Sequence, residues 1–291
     1  MENFSNIPIL DTHAHLIFPD KIEYLWKDAL PEMNVEKNEK MYFEKYKSLP
    51  IKGLIFMEVA SATYLEEAKL LENLSEINDS KIKGIIAHVP MDKDINYIEQ
   101  YLLDIGHKKL VGVRYLIQTF EKVNGDIPEF NKPHFYEKLK LFEQKSLPFH
   151  IGIYQEQLPY AIQLVKDNKN IKFLIDHLGK PFNGGEDYQF WAENVRILSG
   201  FPNVIMKLTA GFNYPQNFLA KSSPYIEYCV DCFGDKRLII GSDAGFGDTK
   251  VIFDDWVEEL LKVFVRKNLS YNQVENILFK NAEEIYSIQE N

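Results

Sequence analysis

The sequence predicts an α/β protein of the (β/α)8 TIM-barrel class. Short runs of β-branched and aromatic residues alternate strictly with helical patterns, and this unit occurs eight times. Strict alternation is typical of a parallel sheet with helical crossovers, and eight units favour closure into a barrel. The first predicted strand is not followed by G-x-G-x-x-G, the pattern that would favour an open dinucleotide-binding sheet.

The predicted strands are short and apolar, as expected of strands buried on both faces of a parallel sheet. They cover residues 7–13, 53–59, 84–89, 111–117, 148–153, 173–177, 204–208 and 238–242. From the second strand onward, each is followed by a segment with apolar residues at three- and four-residue spacing, which predicts a helix. These helices cover residues 64–74, 95–103, 135–142, 158–165, 190–198, 224–232 and 253–265.

Two segments fall outside the eight units. Residues 16–50 are too long for an ordinary crossover and are expected to form an elaborated loop over the site. Residues 272–286 predict one further amphipathic helix, which we expect to pack against the outside of the barrel. The chain contains neither a low-complexity tract nor a composition break, so residues 1–291 are predicted to form a single domain.

Charge and composition narrow the function classes. A net charge of −10 disfavours binding to nucleic acid or to an anionic membrane surface. The amino terminus lacks the pattern of a signal peptide, and no run of 18 apolar residues occurs, so we expect a cytosolic enzyme. Its partner is expected to be a small molecule, and the sequence leaves open whether it forms a homo-oligomer.

The first strand ends in D-T-H-A-H at residues 11–15. His13 and His15 lie two apart on an extended segment, so both imidazoles point to one side and can reach one cation. Neutral imidazoles suit zinc, manganese, iron or nickel. The alternative is a chance pair of surface histidines. Because the working residues of such barrels lie at the carboxyl ends of strands, the position favours ligation.

Three later strands carry groups of the same kind. His150 is expected at the end of the fifth strand, His177 ends the sixth, and Asp243 ends the eighth. We expect His13, His15, His150 and Asp243 to hold one divalent metal ion, with His177 beside it as a donor to substrate oxygen or to the attacking water. Each later histidine alone could be a hydrogen-bonded core residue, but their recurrence at strand ends favours a site.

Charged residues in other strands complete the candidate site. Glu58 ends the second strand and is a further candidate ligand, with a hydrogen bond to a loop amide as the alternative. Arg114 lies in the fourth strand, and its guanidinium suits a substrate carboxylate or carbonyl, with a structural salt bridge as the alternative. Lys207 in the seventh strand presents the same choice. We expect both cations to bind substrate.

Five remaining residues are candidates of lesser weight. His107 and His134 are expected at the surface, whereas His88, closing the third strand, fits either the core or the pocket lining. Cys229 and Cys232 have C-x-x-C spacing, but no second pair of ligands accompanies them, so they are interpreted as small buried helical residues.

The motifs D-T-H-A-H, D-H-L-G-K-P, V-x-x-K-L and G-S-D, with the closing I-L-F-K-N-A-E-E-I-Y, resemble the amidohydrolase superfamily over nearly the whole chain. Within it, the chain is similar to the amidohydrolase-2 group, which contains lactone hydrolases of sugar-acid, muconolactone and pyrone-dicarboxylate type and some decarboxylases. The resemblance implies ligand positions at His13, His15, His150 and Asp243. Members with two metals carry a carboxylated lysine in strand four, where this chain has Arg114, which favours one metal.

The resemblance implies a hydrolase that opens a small lactone with metal-activated water. Zinc is the expected ion and manganese the alternative, while some pyrone-type lactonases of the group work without metal. Asp243 would accept the proton of water and return it to the leaving alkoxide, and His177 and Arg114 would hold the carbonyl or a ring carboxylate of an anionic or polyhydroxylated substrate. The alternatives are a decarboxylase of a small unsaturated or aromatic acid and, more remotely, a non-catalytic binding barrel.

Overall fold

The computed structural model describes residues 4–106, 108–117, 133–181, 187–211, 217–246 and 251–288. Within these residues, eight parallel strands pair in the order of the sequence. They are β1 (Ile9–Ala14), β2 (Ile51–Met57), β3 (Ile82–His88), β4 (Leu110–Leu116), β5 (Phe149–Gly152), β6 (Phe173–Ile175), β7 (Val204–Thr209) and β8 (Leu238–Gly241).

The sheet closes between its first and last strands. Ala14 and Ala244 form a parallel bridge just beyond β8. His15 N donates to Ala244 O at 2.8 Å, and Asp243 N donates to His13 O at 2.8 Å. These contacts join the first strand of the sheet to the last and close the barrel, which confirms the predicted (β/α)8 fold class.

Helices follow the strands as predicted, although several run longer. They are α1 (Glu39–Lys45), α2 (Tyr64–Ser75), α3 (Ile95–Ile105), α4 (Pro133–Gln144), α5 (Leu158–Asp167), α6 (Tyr188–Ser199), α7 (Phe218–Phe233), α8 (Phe253–Arg266), α9 (Tyr271–Glu275) and α10 (Asn281–Tyr286), with a π-helical turn at Asn276–Lys280. None of the helices in the described part of the chain is long and apolar enough to cross a membrane.

The start predicted for the seventh helix is wrong. The spacing of apolar residues predicted a helix over residues 224–232. Instead α7 begins at Phe218, and Pro224 lies inside it. Phe218 is fully buried and stacks on Trp256 with ring centroids 5.6 Å apart, so tertiary packing stabilises the additional turns. Cys229 is buried in this helix, as expected, whereas Cys232 is only half-buried, and both are free thiols.

The elaborated segment between β1 and β2 carries α1 and a short 3-10 turn at Pro31–Met33. A bridge between Ile17 and Lys37 folds the segment on itself, and a bridge between Tyr24 and Ser61 joins it to the loop after β2. Trp26 stacks on Tyr24 and donates from its indole nitrogen to Val59 O at 2.6 Å. The segment is therefore anchored over the carboxyl end of β2.

The last predicted helix, residues 272–286, meets its expectation only in part. Val274, Ile277 and Leu278 belong to the core cluster shared with the outer helices, whereas α10 does not pack against the outside of the barrel. Ala282, Ile285 and Tyr286 of α10 belong to a core cluster with side chains from inside the barrel, namely Leu10, Ile55, Met57, Ile86, Leu174, Ile205 and Ile239. The amide of Asn281 donates to Asp235 O at 2.7 Å and to Leu238 O at 2.8 Å, at the start of β8. This helix therefore closes the amino-terminal end of the barrel.

We expect Asn281→Ala to lower the free energy of unfolding by about 1–3 kcal/mol, because two backbone carbonyls at the closed end lose their donor. Urea denaturation measures the change. Asn170→Ala is the matched control, since its amide bonds only to Glu143 on the exposed surface, and its effect should stay within about 0.5 kcal/mol. Equal effects of the two substitutions would contradict the role assigned to α10.

Candidate active site

The two histidines of the first strand meet the aspartate that follows the last. His13 lies in β1, His15 follows it, and both are buried. Their Nε2 atoms lie 3.5 and 3.2 Å from Oδ1 of Asp243. The closure of the barrel causes this meeting, because Asp243 N bonds to His13 O.

The Nδ1 atom of His15 lies 2.9 Å from Met57 O. A carbonyl oxygen only accepts, so Nδ1 carries the proton, and in the neutral ring the Nε2 lone pair faces Asp243. Two acceptors 3.2 Å apart require a cation between them, either a proton or a metal ion. His13, His15 and Asp243 form a group whose ligand atoms all lie within 4.8 Å of one another. These three residues therefore fit a divalent metal.

His177 approaches the same carboxylate from the other side. Its Nδ1 lies 2.8 Å from Ala210 O, and its Nε2 lies 4.0 Å from Asp243 Oδ1. Its ring is 4.6 Å from that of His13. By the same reasoning, neutral His177 presents an acceptor to the site. The expected role of His177 as a donor is therefore corrected to that of an acceptor or an additional ligand.

His177 owes its position to an unusual turn. The four residues from His177 to Lys180 all have positive φ, of 54°, 53°, 72° and 51°. This left-handed conformation costs about 1–2 kcal/mol for each non-glycine residue. Trp191 of α6 holds the turn by donating from its indole nitrogen to Leu178 O at 2.7 Å. Because such a turn repeats every three residues, His177 and Lys180 project to the same side.

A cavity of about 250 Å³ opens above these residues. Its polar lining consists of His15, Arg114, His177, Lys180 and Asp243, and its apolar lining includes Trp26, Leu30, Val59, Leu116 and Phe246. Trp26 and Phe246 meet edge to face at 4.7 Å. The cavity thus combines acceptors, cations and an aromatic wall at the carboxyl end of the barrel, as binding sites for small molecules commonly do.

Glu58 does not join the candidate metal ligands. Its Oε1 accepts from Arg114 Nε at 2.6 Å, and its Oε2 accepts from Ala60 N at 2.8 Å. Both oxygens are therefore occupied in fixing the guanidinium and the loop after β2. The ligand expected here is corrected to the stated alternative, a carboxylate bonded to a loop amide, and Glu58 also forms a salt bridge with Arg114, which lines the cavity.

His150 and Lys207 are also placed differently from expectation. His150 is the second residue of β5, and its Nε2 faces the hydroxyl of Tyr286 at 3.3 Å, away from the cavity. Lys207 is completely buried, and its Nζ donates to Thr12 O at 2.9 Å. Neither residue lines the cavity, so the ligand role of His150 and the substrate-binding role of Lys207 are corrected to positions below the site.

Asp176 lies between the two levels and was given no role in the sequence analysis. Its Oδ1 is 3.4 Å from Lys207 Nζ, 3.4 Å from His150 Nδ1 and 3.8 Å from His13 Nδ1. Its Oδ2 is 3.6 Å from Nη1 of Arg114. The signal for Asp176 was present, because it precedes His177 in D-H-L-G-K-P, as was that for Lys180 in the same motif.

Charge states follow from burial and from these neighbours. Burial lowers the pKa of His177 to about 4 and the pKa of Lys180 to about 8. Burial lowers the pKa of His13 well below its ordinary value. Burial alone would raise the pKa of Asp243, but His177, His15 and Lys180 together hold it below its usual value. His13 and His177 are therefore neutral at neutral pH and Asp243 is ionised, as metal ligation requires.

The remaining histidines lie away from this centre. His88 is half-buried beside Tyr64, with ring centroids 5.1 Å apart, and it does not line the cavity. His134 is exposed at the start of α4, as expected. His107 lies outside the described residues.

The family model described as Amidohydrolase matches residues 11–288. The chain belongs to the amidohydrolase family. The L-rhamnono-gamma-lactonase of Scheffersomyces stipitis is 22% identical over 340 residues, covering 98% of this chain and all of that protein. The L-fucono-1,5-lactonase of Burkholderia ambifaria is 26% identical over 137 residues, covering 46% of each chain.

A solved structure shares the fold of this family member. The crystal structure of an amidohydrolase from Burkholderia multivorans, with bound zinc, has a TM-score of 0.83 to this chain. Its sequence is 17% identical, and the match covers 97% of this chain and 99% of that one. At this identity, the likeness extends to the fold and not to the individual side chains.

Trp191→Phe should reduce kcat/KM, because the left-handed turn that carries His177 and Lys180 loses its indole donor. We expect a loss of stability of about 1–3 kcal/mol from the unpaired Leu178 carbonyl. Trp256→Phe is the matched control, since Trp256 is equally buried and donates to Leu208 O at 3.1 Å in regular strand β7. Both variants should lose similar stability in urea denaturation. Activity lost equally in both would contradict a special role for the turn.

Proposed function

We propose that this family member is a metal-dependent lactonase that hydrolyses the ring ester of a small lactone. The observation that carries the proposal is the convergence of three Nε2 atoms, from His13, His15 and His177, on one oxygen of Asp243 beneath a small cavity. The two lactonases reported above support a sugar-acid lactone as the substrate, with muconolactone and pyrone-dicarboxylate types as the other candidates.

The proposed metal site consists of His13, His15 and Asp243, with His177 next to it. Imidazole and carboxylate ligands suit zinc best and manganese next. When bound, such an ion lowers the pKa of water and polarises the ester carbonyl. The zinc in the related Burkholderia multivorans structure supports this choice of metal.

The protein's own side chains orient the water, move its proton and stabilise the charge on the carbonyl oxygen. Asp243 accepts the proton of the attacking water, and His177 Nε2 accepts a hydrogen bond that orients it. Lys180 and Arg114 donate to the carbonyl oxygen, where negative charge grows as water adds to the carbonyl carbon. The ring C–O bond then breaks, and the proton held by Asp243 passes to the leaving alkoxide. The product is an open-chain hydroxy acid.

A panel of aldonolactones, muconolactones and pyrone-dicarboxylate lactones, read with a pH indicator, tests the reaction directly. Ring opening releases a proton, because the product acid ionises at neutral pH. We expect turnover of at least one sugar-acid lactone. Asp243→Asn should lower kcat by about three orders of magnitude, because the proton acceptor is removed. Asp94→Asn is the control, since Asp94 caps α3 without lining the cavity and asparagine caps equally well.

Carbon dioxide release from a small unsaturated or aromatic acid, without hydrolysis of any lactone, would favour the decarboxylase instead. In that reaction a carbanion is stabilised and no ester is attacked. An inert protein that nevertheless bound lactones would favour a non-catalytic binding barrel. Near-normal activity of Asp243→Asn would refute the proposed role of this carboxylate.

Metal content gives an independent test. We expect the protein, dialysed against zinc and then against buffer, to retain about one ion per chain, the stoichiometry of a mononuclear site. Chelation should abolish lactone hydrolysis, and zinc or manganese should restore it. His15→Asn should weaken zinc binding at least tenfold, whereas His134→Asn, on the exposed start of α4, should leave it unchanged. Undiminished activity of the fully chelated protein would refute metal dependence.

A further inference from the structure

A continuous series of buried polar side chains connects the carboxyl-terminal helix to the candidate active site. It runs from Tyr286 through His150 and Asp176 to His13, and each member is at most 4% exposed. We infer that Tyr286 is a positioning residue that acts through His150 and Asp176 to orient the His13 imidazole. The inference rests on the proposed function only in taking His13 as a ligand.

The lower end of the series is a contact between two parallel rings. Tyr286 and His150 have ring centroids 5.9 Å apart and planes 4° apart, and the Tyr286 hydroxyl lies 3.3 Å from His150 Nε2. The hydroxyl also contacts the Thr12 side chain, whose own proton goes to Ile240 O at 2.6 Å. Thr12 therefore accepts the single hydroxyl proton of Tyr286, and the Tyr286 oxygen accepts from His150 Nε2.

The next step follows from the tautomer of His150. With its proton on Nε2, the neutral ring presents Nδ1 as an acceptor to Lys207 Nζ, which only donates and lies 3.4 Å away. The same Nζ lies 3.4 Å from Asp176 Oδ1 and donates to Thr12 O. Asp176 thus has a donor below it whose direction is set by His150 and Thr12.

The upper end explains why His13 needs this support. His15 and His177 each have Nδ1 fixed by a backbone carbonyl, from Met57 and Ala210. Among the residues that the structure describes, His13 Nδ1 has no hydrogen-bond partner, and its nearest carboxylate is Asp176 Oδ1 at 3.8 Å. A carboxylate behind a ligating histidine keeps the proton on that side and directs the other nitrogen forward.

Arg114 agrees with this orientation. Its Nη1, which can only donate, lies 3.4 Å from Nε2 of His13. An Nε2 that accepts from Arg114 places the His13 proton on Nδ1, facing Asp176. The donors and acceptors from Tyr286 to His13 are therefore mutually consistent, and Asp176 accepts from Lys207 below it and faces the Nδ1 proton of His13 above it.

A purely structural role accounts poorly for these side chains. The interior of such barrels is ordinarily filled by branched apolar residues. Phenylalanine in place of Tyr286, with apolar residues in place of His150 and Lys207, would fill the same space without burying charge. Polar groups at this depth are costly unless each is paired. Their arrangement as a directed series leading to His13 accounts for that cost.

The test compares Tyr286→Phe with Tyr101→Phe. Tyr101 is the matched control, because its buried hydroxyl donates to His88 O at 2.6 Å without reaching the site. On the lactone identified by the panel, we expect Tyr286→Phe to lower kcat about tenfold with KM within about twofold, the low end for partners of ligating histidines. Tyr101→Phe should leave kcat unchanged, while both variants shift the melting temperature similarly.

Imidazole nitrogen NMR of the ¹⁵N-histidine-labelled, metal-free protein gives a readout independent of any substrate. In Tyr286→Phe, the tautomer populations of His150 and His13 should change. The signals of His15 and His177 should not, because backbone carbonyls hold those rings. Unchanged His13 signals would overturn the inference, as would kcat values equal to those of Tyr101→Phe.

A double substitution tests whether the effect of Tyr286→Phe passes through His150 or arises from the general loss of a buried hydroxyl. Asparagine at position 150 retains an acceptor for Lys207 near the place of Nδ1 but lacks the donor that faces Tyr286. In the His150→Asn background, Tyr286→Phe should therefore cause no further loss of kcat. Additive losses would show that Tyr286 does not act through His150 and would overturn the inference.

The NMR arm also keeps this inference distinct from the proposed function. If the wild-type protein hydrolyses no lactone, the response of the His13 signals still decides whether Tyr286 orients that ring. If lactones are hydrolysed and the Tyr286 and Tyr101 variants behave alike, the positioning role fails while the lactonase proposal stands.

Discussion

The closure of β1 against the end of β8 is the constraint on which the rest of the site depends. The buried carboxylate of Asp11 bonds to both strands at this closure. It accepts from His13 N at 3.0 Å, Ser242 N at 2.9 Å and Ser242 Oγ at 2.5 Å. The hydroxyl of Tyr42, from α1, donates to the same carboxylate at 2.6 Å. One side chain thus fastens the first strand, the last strand and the elaborated segment, and places His13 beside Asp243.

Backbone carbonyls then direct the imidazoles. Met57 O at the end of β2 and Ala210 O after β7 fix the Nδ1 atoms of His15 and His177, and both acceptor nitrogens turn toward Asp243. Because the carbonyls belong to the barrel itself, these rings are oriented before any ligand arrives. Preorganised groups of this kind lose little entropy on binding, which is where much of the advantage of an enzyme site lies.

The sequence predicted which strands carry the site, but it did not predict how deep in the barrel each side chain lies. His13, His15, His177 and Asp243 were all predicted from strand ends, and the structure brings them together. His150 was not brought to them, because it is the second residue of β5. A strand rises about 3.3 Å per residue, so two residues change the level inside a barrel by about 7 Å. Periodicity fixes strand boundaries too loosely to resolve such a difference.

The terminal helix illustrates a second limit. Its amphipathic pattern correctly predicted a helix with one buried face, but the open end of a barrel and its outer surface are both apolar, and the pattern does not distinguish them. The deciding contacts, from Asn281 to Leu238 O and from Tyr286 to His150, join residues distant in the sequence. The left-handed turn at His177 was likewise unpredictable, because three of its four residues are not glycine.

Two levels therefore serve different purposes in this barrel. The upper level presents neutral imidazoles, Asp243 and cavity-lining cations to a ligand, and the lower level holds Asp176 among Lys207, His150 and Arg114. A buried ion pair of the lower kind contributes little net stability, since the cost of desolvating both charges offsets their attraction. We interpret its role as orientation: the fixed donors around Asp176 hold its carboxylate in one orientation, with one oxygen facing His13. Polar side chains thus replace apolar packing at the centre of the barrel, and they fix the orientation of the His13 imidazole at its carboxyl end.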